Sequence, residues 1–147
     1  MHYLTKELWF PNINEATSDG LLAIGGDLSK ERLLLAYNSG IFPWFEDDQP
    51  ILWWSPNPRM VLFPEKFKVS KSLRKTIKSE KFKITFNQNF AAVIKNCATV
   101  LRNGQAGTWI TKEMQEAYHA LHKAGHALSI EVWENDKLVG GLYGIDL

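Results

Sequence analysis

The sequence predicts an α+β fold in two parts, a small N-terminal α/β domain over residues 1–63 and a second α+β domain over 64–147. Three observations lead there. A chain of 147 residues with 45% hydrophobic and 12% aromatic content supports one packed core or two small ones. Short apolar runs bounded by proline and glycine alternate with segments of helical period. At Pro64 the composition changes abruptly from aromatic and proline-rich to basic, which marks the boundary.

Taken in order, Met1 to Ser18 mixes Tyr3, Trp9 and Phe10 with Pro11, Asn12 and Asn14 and reads as an irregular arm. Gly25-Gly26 reads as a turn, because neither dinucleotide-binding nor P-loop glycine spacing surrounds it. Ser29 suits a helix N-cap, with Glu31 in the first turn and Leu33, Leu34 and Tyr37 on one face; Gly40 stops that helix. Gly40 to Met60 then carries Phe42, Trp44, Phe45, Trp53 and Trp54 among four of the six prolines. The prolines exclude a long helix and leave Pro50–Ser55 as one short strand. Such a stretch is either an aromatic plug in the core or a rigid platform on which a flat ligand stacks. Arg59 to Phe63 reads as a further strand.

Beyond Pro64, Ser70 suits the N-cap of a helix to about Glu80, placing Lys71, Arg74, Lys75 and Lys78 on one face. Glu65 to Lys83 holds eight basic and two acidic residues, a net +6, while the remaining nine basic and fourteen acidic residues amount to −5. The block fits either a solvated helix face or a polyanion footprint. Like charges stacked at this spacing repel by a few tenths of a kcal/mol per pair, a cost that a phosphate backbone reverses. That favours the footprint. Lys83–Phe86 alternates like a strand, and Asn87–Ala98 follows as a helix with Phe90, Val93, Ile94 and Cys97 inward. Residues 100–107 read as a loop. Thr111 caps a helix to Lys123, with Met114, Tyr118 and Leu121 on one face and Gly125 at its end. Ala127–Trp133 and Lys137–Ile145 form a hairpin around Glu134-Asn135-Asp136.

Several function classes are disfavoured. The single Cys97 provides neither a disulfide framework nor a multi-cysteine zinc site, which fits a reducing cytoplasm. His119, His122 and His126 lack a carboxylate at ligand spacing, so no metal is expected. No basic-then-apolar leader and no run of 18 apolar residues is found, so neither secretion nor membrane insertion is expected.

Five strings now stand in register: Gly20-Leu-Leu-Ala-Ile-Gly-Gly-Asp-Leu-Ser29, Gly40-Ile-Phe-Pro-Trp-Phe45, Ile51-Leu-Trp-Trp-Ser-Pro56, Gly107-Thr-Trp-Ile-Thr111, and Ser129-Ile-Glu-Val-Trp133 through Gly140-Gly-Leu-Tyr-Gly144. From Gly20 to Gly144 the chain resembles the bacterial leucyl/phenylalanyl-tRNA–protein transferases. The resemblance implies an aminoacyltransferase that moves Leu, Phe or sometimes Met from tRNA to a protein whose N-terminus is Lys or Arg, creating an N-degron. It implies no cofactor, and it implies that residues 64–147 are the N-terminal part of an acetyltransferase-like (GNAT) domain. Trp44, Trp109 and Tyr118 would contact the terminal adenosine and aminoacyl end, and Leu142 would lie in the amino-acid side-chain pocket. Lys71, Arg74, Lys75 and Lys78 would hold the acceptor stem. The family continues past the last residue here with a Gly-Glu-Ser-Met-Phe string and a later Asp and Gln at the reacting centre. No catalytic group is therefore expected within these 147 residues, and the activity is expected of a longer chain. The strand near 138–145 would present an open edge, to be covered by a partner or a second copy. Relatives often carry His and a basic residue where Leu128 and Ser79 stand. The other readings are a non-catalytic RNA-binding module and a GNAT-type acyltransferase using a thioester cofactor.

Overall fold

The computed structural model describes residues 1–100 and 108–147, so the loop expected over 100–107 lies, apart from Val100, outside the described residues. The fold is α+β: among the described residues, two separate sheets and four helices.

The first sheet has the order β1-β2-β4-β3, from strands His2–Leu4, Leu21–Gly25, Leu52–Trp54 and Phe42–Pro43. β1 runs parallel to β2, and the two remaining pairings are antiparallel. The arm expected to be irregular thus contributes an edge strand. Parallel pairing joins residues distant in sequence, so a three-residue segment gives no local sign of it. After β2, Gly25 and Gly26 both adopt positive φ and turn the chain into α1, Lys30–Asn38. Ser29 caps α1 by accepting from the Arg32 amide. The side chain of Arg32 is fully buried and donates to the carbonyls of Thr5 (2.8 Å) and Glu7 (2.9 Å), fastening the arm to the helix.

The strand expected over Arg59–Phe63 is absent: residues 60–63 form no strand, and Met60 is wholly exposed, with Val61, Leu62 and Phe63 also exposed. Their apolar run has the composition of a strand but no neighbouring edge among the described residues to pair with. A 3₁₀ turn at Pro64–Lys66 leads to α2, Lys71–Lys78, capped by Ser70, which accepts from the Leu73 amide at 3.1 Å.

The second sheet is the antiparallel order β5-β6-β7, from Lys83–Phe86, Ala127–Glu134 and Lys137–Ile145. β6 and β7 are joined at Asn135 and Asp136, both at positive φ, as tight hairpin turns require. Helices α3 (Phe90–Thr99) and α4 (Lys112–Lys123) separate β5 from β6 and pack against the sheet. Phe90, Val93 and Ile94 of α3 are buried and Cys97 is half-buried; Met114, Tyr118 and Leu121 of α4 are buried, following the helical period.

One apolar cluster runs through both parts, from Leu4, Leu22, Leu33 and Trp53 to Phe90, Met114, Leu121 and Ala127. No helix among the described residues is long and apolar enough to cross a membrane.

Candidate nucleic-acid interface

The aromatic stretch divides by strand alternation. Trp53 faces inward, fully buried, with its Nε1 donating to the Gly25 carbonyl at 2.8 Å and Phe10 packed edge-on at 4.9 Å. Phe45 is also buried. Trp54 points the other way and donates its Nε1 to the Trp44 carbonyl at 2.7 Å. That bond brings the two rings to 5.8 Å and leaves the Trp44 indole 51% exposed. A buried indole, Trp53, and an exposed one, Trp44, therefore lie on opposite faces of one ribbon. The open face offers a π surface fixed from beneath.

Trp109 is half-buried against the core cluster, two residues before Thr111, which caps α4. Phe45, next to Trp44, and Thr111 both line one cleft of about 520 Å³. The two indole-bearing segments thus meet at a common opening. Neither indole itself lines that cleft.

Tyr118 is only 1% exposed. Its hydroxyl bonds that of Tyr37 on α1, and Tyr143 lies edge-on at 5.8 Å. Burial, and then the neighbouring Tyr37 and Tyr143, push its phenol well above the usual tyrosine range, so it stays protonated. In this arrangement it stands behind the surface rather than on it.

Leu142 is 63% exposed on β7, which forms one edge of its sheet. Just before it, Gly140 and Gly141 help line a groove of about 440 Å³ with Val93 and Cys97 of α3. A side chain at Gly141 would come within 3.0 Å of Val93, so glycine there lets α3 pack close to the strand.

No residue of α2 is buried, so Lys71, Arg74, Lys75 and Lys78 form an open basic face; Leu73 and Ile77 are exposed as well. None of these four cations forms an ion pair among the described residues. Of the residues singled out in the sequence, Trp44, Leu142 and the α2 cations are exposed, Trp109 is half-buried, and Tyr118 lies inside. The local patterning of the sequence did not single out Arg59 or Glu131, which join segments far apart in the chain.

Among the described residues no group of histidine, cysteine or carboxylate side chains is placed to hold a metal. His122 instead stacks on Phe90 at 4.3 Å, and its Nδ1 bonds the Ala127 carbonyl at 2.7 Å.

Residues 61–147 match the model of the leucyl/phenylalanyl-tRNA protein transferase family, and residues 26–57 match the model of that family's N-terminal domain. A leucyl/phenylalanyl-tRNA–protein transferase of Flavobacterium psychrophilum is 63% identical over all 147 residues, which cover 70% of its length. The protein of the same name from Flavobacterium johnsoniae is 60% identical over 147 residues, with 69% of its length covered. That of Thermodesulfovibrio yellowstonii is 57% identical over 146 residues, with 59% covered. On this evidence the chain belongs to the leucyl/phenylalanyl-tRNA–protein transferases, a family of aminoacyltransferases.

Proposed function

We propose that this chain holds the aminoacyl end of a tRNA charged with Leu, Phe or Met. The amino acid is then transferred to the N-terminal Lys or Arg of an acceptor protein in the cytoplasm, marking that protein as an N-degron. One observation carries the reading: the exposed Trp44 indole, held against Trp54 in a segment whose next residue, Phe45, shares a cleft with Thr111 of the Trp109 segment. An unstacked terminal adenine finds there a rigid surface that costs little entropy to use.

The remaining roles follow from the chemistry. An aminoacyl ester is already activated, so its aminolysis needs no nucleotide triphosphate, only placement, loss of a proton from the attacking amine and stabilisation of the oxyanion. Trp44 and Trp109 place the adenosine, and Tyr118, buried and bonded to Tyr37, would reach the aminoacyl end only from beneath the surface. Leu142 borders the apolar site for the transferred side chain. Such a site separates Leu or Phe from small residues by ~1–3 kcal/mol but rejects similar shapes poorly, which suits a modest promiscuity. The basic face of α2 neutralises backbone phosphates and makes binding salt-dependent without reading sequence. We further read residues 1–63 and 64–147 as separate domains, the second opening an acetyltransferase-like fold in the order β5-α3-α4-β6-β7.

Binding of aminoacylated and uncharged tRNA tests the reading. The charged form should bind more tightly; Trp44→Ala should weaken both forms, since both carry the terminal adenine, and Trp109→Ala should abolish the preference. Loss of one stacked base predicts a cost of ~1–3 kcal/mol. Transfer of labelled Leu to a peptide with N-terminal Arg, assayed with this chain and with one extended to the relatives' full length, tests the reaction. Failure of both chains would remove the proposed transfer, leaving an RNA-binding role.

A further inference from the structure

We propose that the cleft around Arg59 binds a phosphodiester of the same RNA strand whose terminal base stacks on Trp44. The proposal rests on the function proposed above and adds a phosphate site to it.

The cleft has a volume of about 510 Å³ and lies between the arm and the chain that follows β4. Its polar lining comprises Asn14, Thr17 and Ser18 on one side and Ser55, Asn57 and Arg59 on the other. Among the described residues no carboxylate lines it, and Arg59 is the one charged residue that does. Of the two nearest acids in sequence, Glu15 bonds His2 at 2.9 Å, and Asp19 accepts from the hydroxyl of the lining residue Thr17 at 2.5 Å. No ion pair among the described residues involves Arg59.

The guanidinium is also held in place. Its Nη2 donates to the Gly40 carbonyl at 2.6 Å and to Ser55 Oγ at 3.3 Å. Nε and Nη1 make no hydrogen bond among the described residues. A planar cation fixed along one edge, with donors free along another, suits an oxyanion and loses little freedom on binding. The Asn14 and Asn57 side-chain amides and the Ser18 hydroxyl would supply neutral donors for the remaining phosphate oxygens, whereas the Thr17 and Ser55 hydroxyls already donate to Asp19 and to the Gly40 carbonyl.

Position selects the ligand. Gly40 and Ser55 belong to the ribbon that carries the indole pair, since Phe42 pairs with Trp54 in the same ladder. Four residues separate Gly40 from Trp44, a span of at most ~14 Å. One strand can therefore lie on the indole and reach the guanidinium within a few nucleotides. A cationic protein N-terminus would be repelled by this cleft, which sets the RNA apart from the acceptor as its occupant.

The test is tRNA binding across a salt series for wild type, Arg59→Gln, Arg59→Lys and Asn14→Asp. Arg59→Gln should weaken binding several-fold at low salt and lower the slope of log K against log salt by roughly 0.7, the value of one phosphate on a single strand. Arg59→Lys should retain the slope. Asn14→Asp places a carboxylate at the rim without touching the bonds to Gly40 and Ser55; it should weaken binding at low salt, with the defect fading as salt rises. If Arg59→Gln lowers thermal stability alone and Asn14→Asp binds normally, Arg59 is a structural clip and the proposal is overturned. A defect confined to binding of an N-terminal Arg peptide overturns it equally. Absence of tRNA binding by the wild type would instead reject the underlying function, and this site with it.

Discussion

Glu131 is fully buried with no cation beside it, yet it is well satisfied. It accepts from Ser129 Oγ (2.6 Å), Thr85 Oγ1 (2.5 Å) and the amides of Asn89 (3.1 Å) and Gln88 (3.3 Å). Burial alone would raise its carboxyl; these donors outweigh that and hold it below the ordinary value of 4.5. The group thereby ties β5, β6 and the start of α3 together. A lowered folded pKa stabilises the protein above the unfolded pKa, and that stabilisation is lost as pH falls through the folded value. Glu131→Gln should cost about 1.5–3 kcal/mol at pH 7. In denaturant titrations repeated at decreasing pH, the gap between wild type and variant should narrow below about pH 4.5. A gap constant with pH would show that the charge is not what the donors stabilise. Nothing local in Ser129–Trp133 distinguishes Glu131 from an exposed strand residue. Three of its four donors come from residues more than forty positions away, where sequence period is silent.

Helix boundaries were legible in the sequence because caps are local. Ser29, Ser70 and Thr111 each accept from an amide three residues on, the bond expected of an N-cap. Strand pairing is less legible, because it depends on what lies alongside: β1 carries no local signal, and residues 59–63 have the composition of a strand without an edge to join among the described residues. The same distinction governs α2, whose basic face was evident from spacing alone while its separation from the core was not. Because no α2 residue is buried, the helix is held mainly by its cap and its own backbone bonds. Ser70→Ala should therefore reduce local helicity by about 1 kcal/mol with little effect on global unfolding, as amide exchange in 71–78 would report. Lys75→Ala removes one phosphate partner. It should lower the salt slope of tRNA binding by nearly one unit at most while preserving the preference for the aminoacylated form. Loss of that preference would mean that the ridge touches the reacting end and not the stem.

Across the whole molecule, charge and packing do separate jobs. The +6 segment lies on an exposed helix and its flanks, apart from a chain otherwise at −5, so the long-range field points to one surface without burdening the core. The packing that unites the two sheets is apolar apart from one polar seam, where α1 meets α4 through the hydroxyls of Tyr37 and Tyr118. Burial raises both phenols, so neither ionises near neutral pH and the seam acts as a neutral hydrogen bond. This yields a test that a simple contact would not pass. Tyr37→Phe removes one partner and leaves the Tyr118 hydroxyl buried without a bond, at a cost of about 1–3 kcal/mol. Tyr118→Phe does the reverse, with a smaller cost because Tyr37 is less deeply buried. Replacing both removes the stranded group, so the double variant should be less destabilised than the sum of the singles, with a coupling of about 1 kcal/mol in a double-mutant cycle. If the seam also steadies the indoles, each single variant should weaken the preference for charged tRNA, and the pair should restore part of it along with stability. Additive stabilities would place the hydroxyls in independent bonds and dissolve the link between α1 and α4.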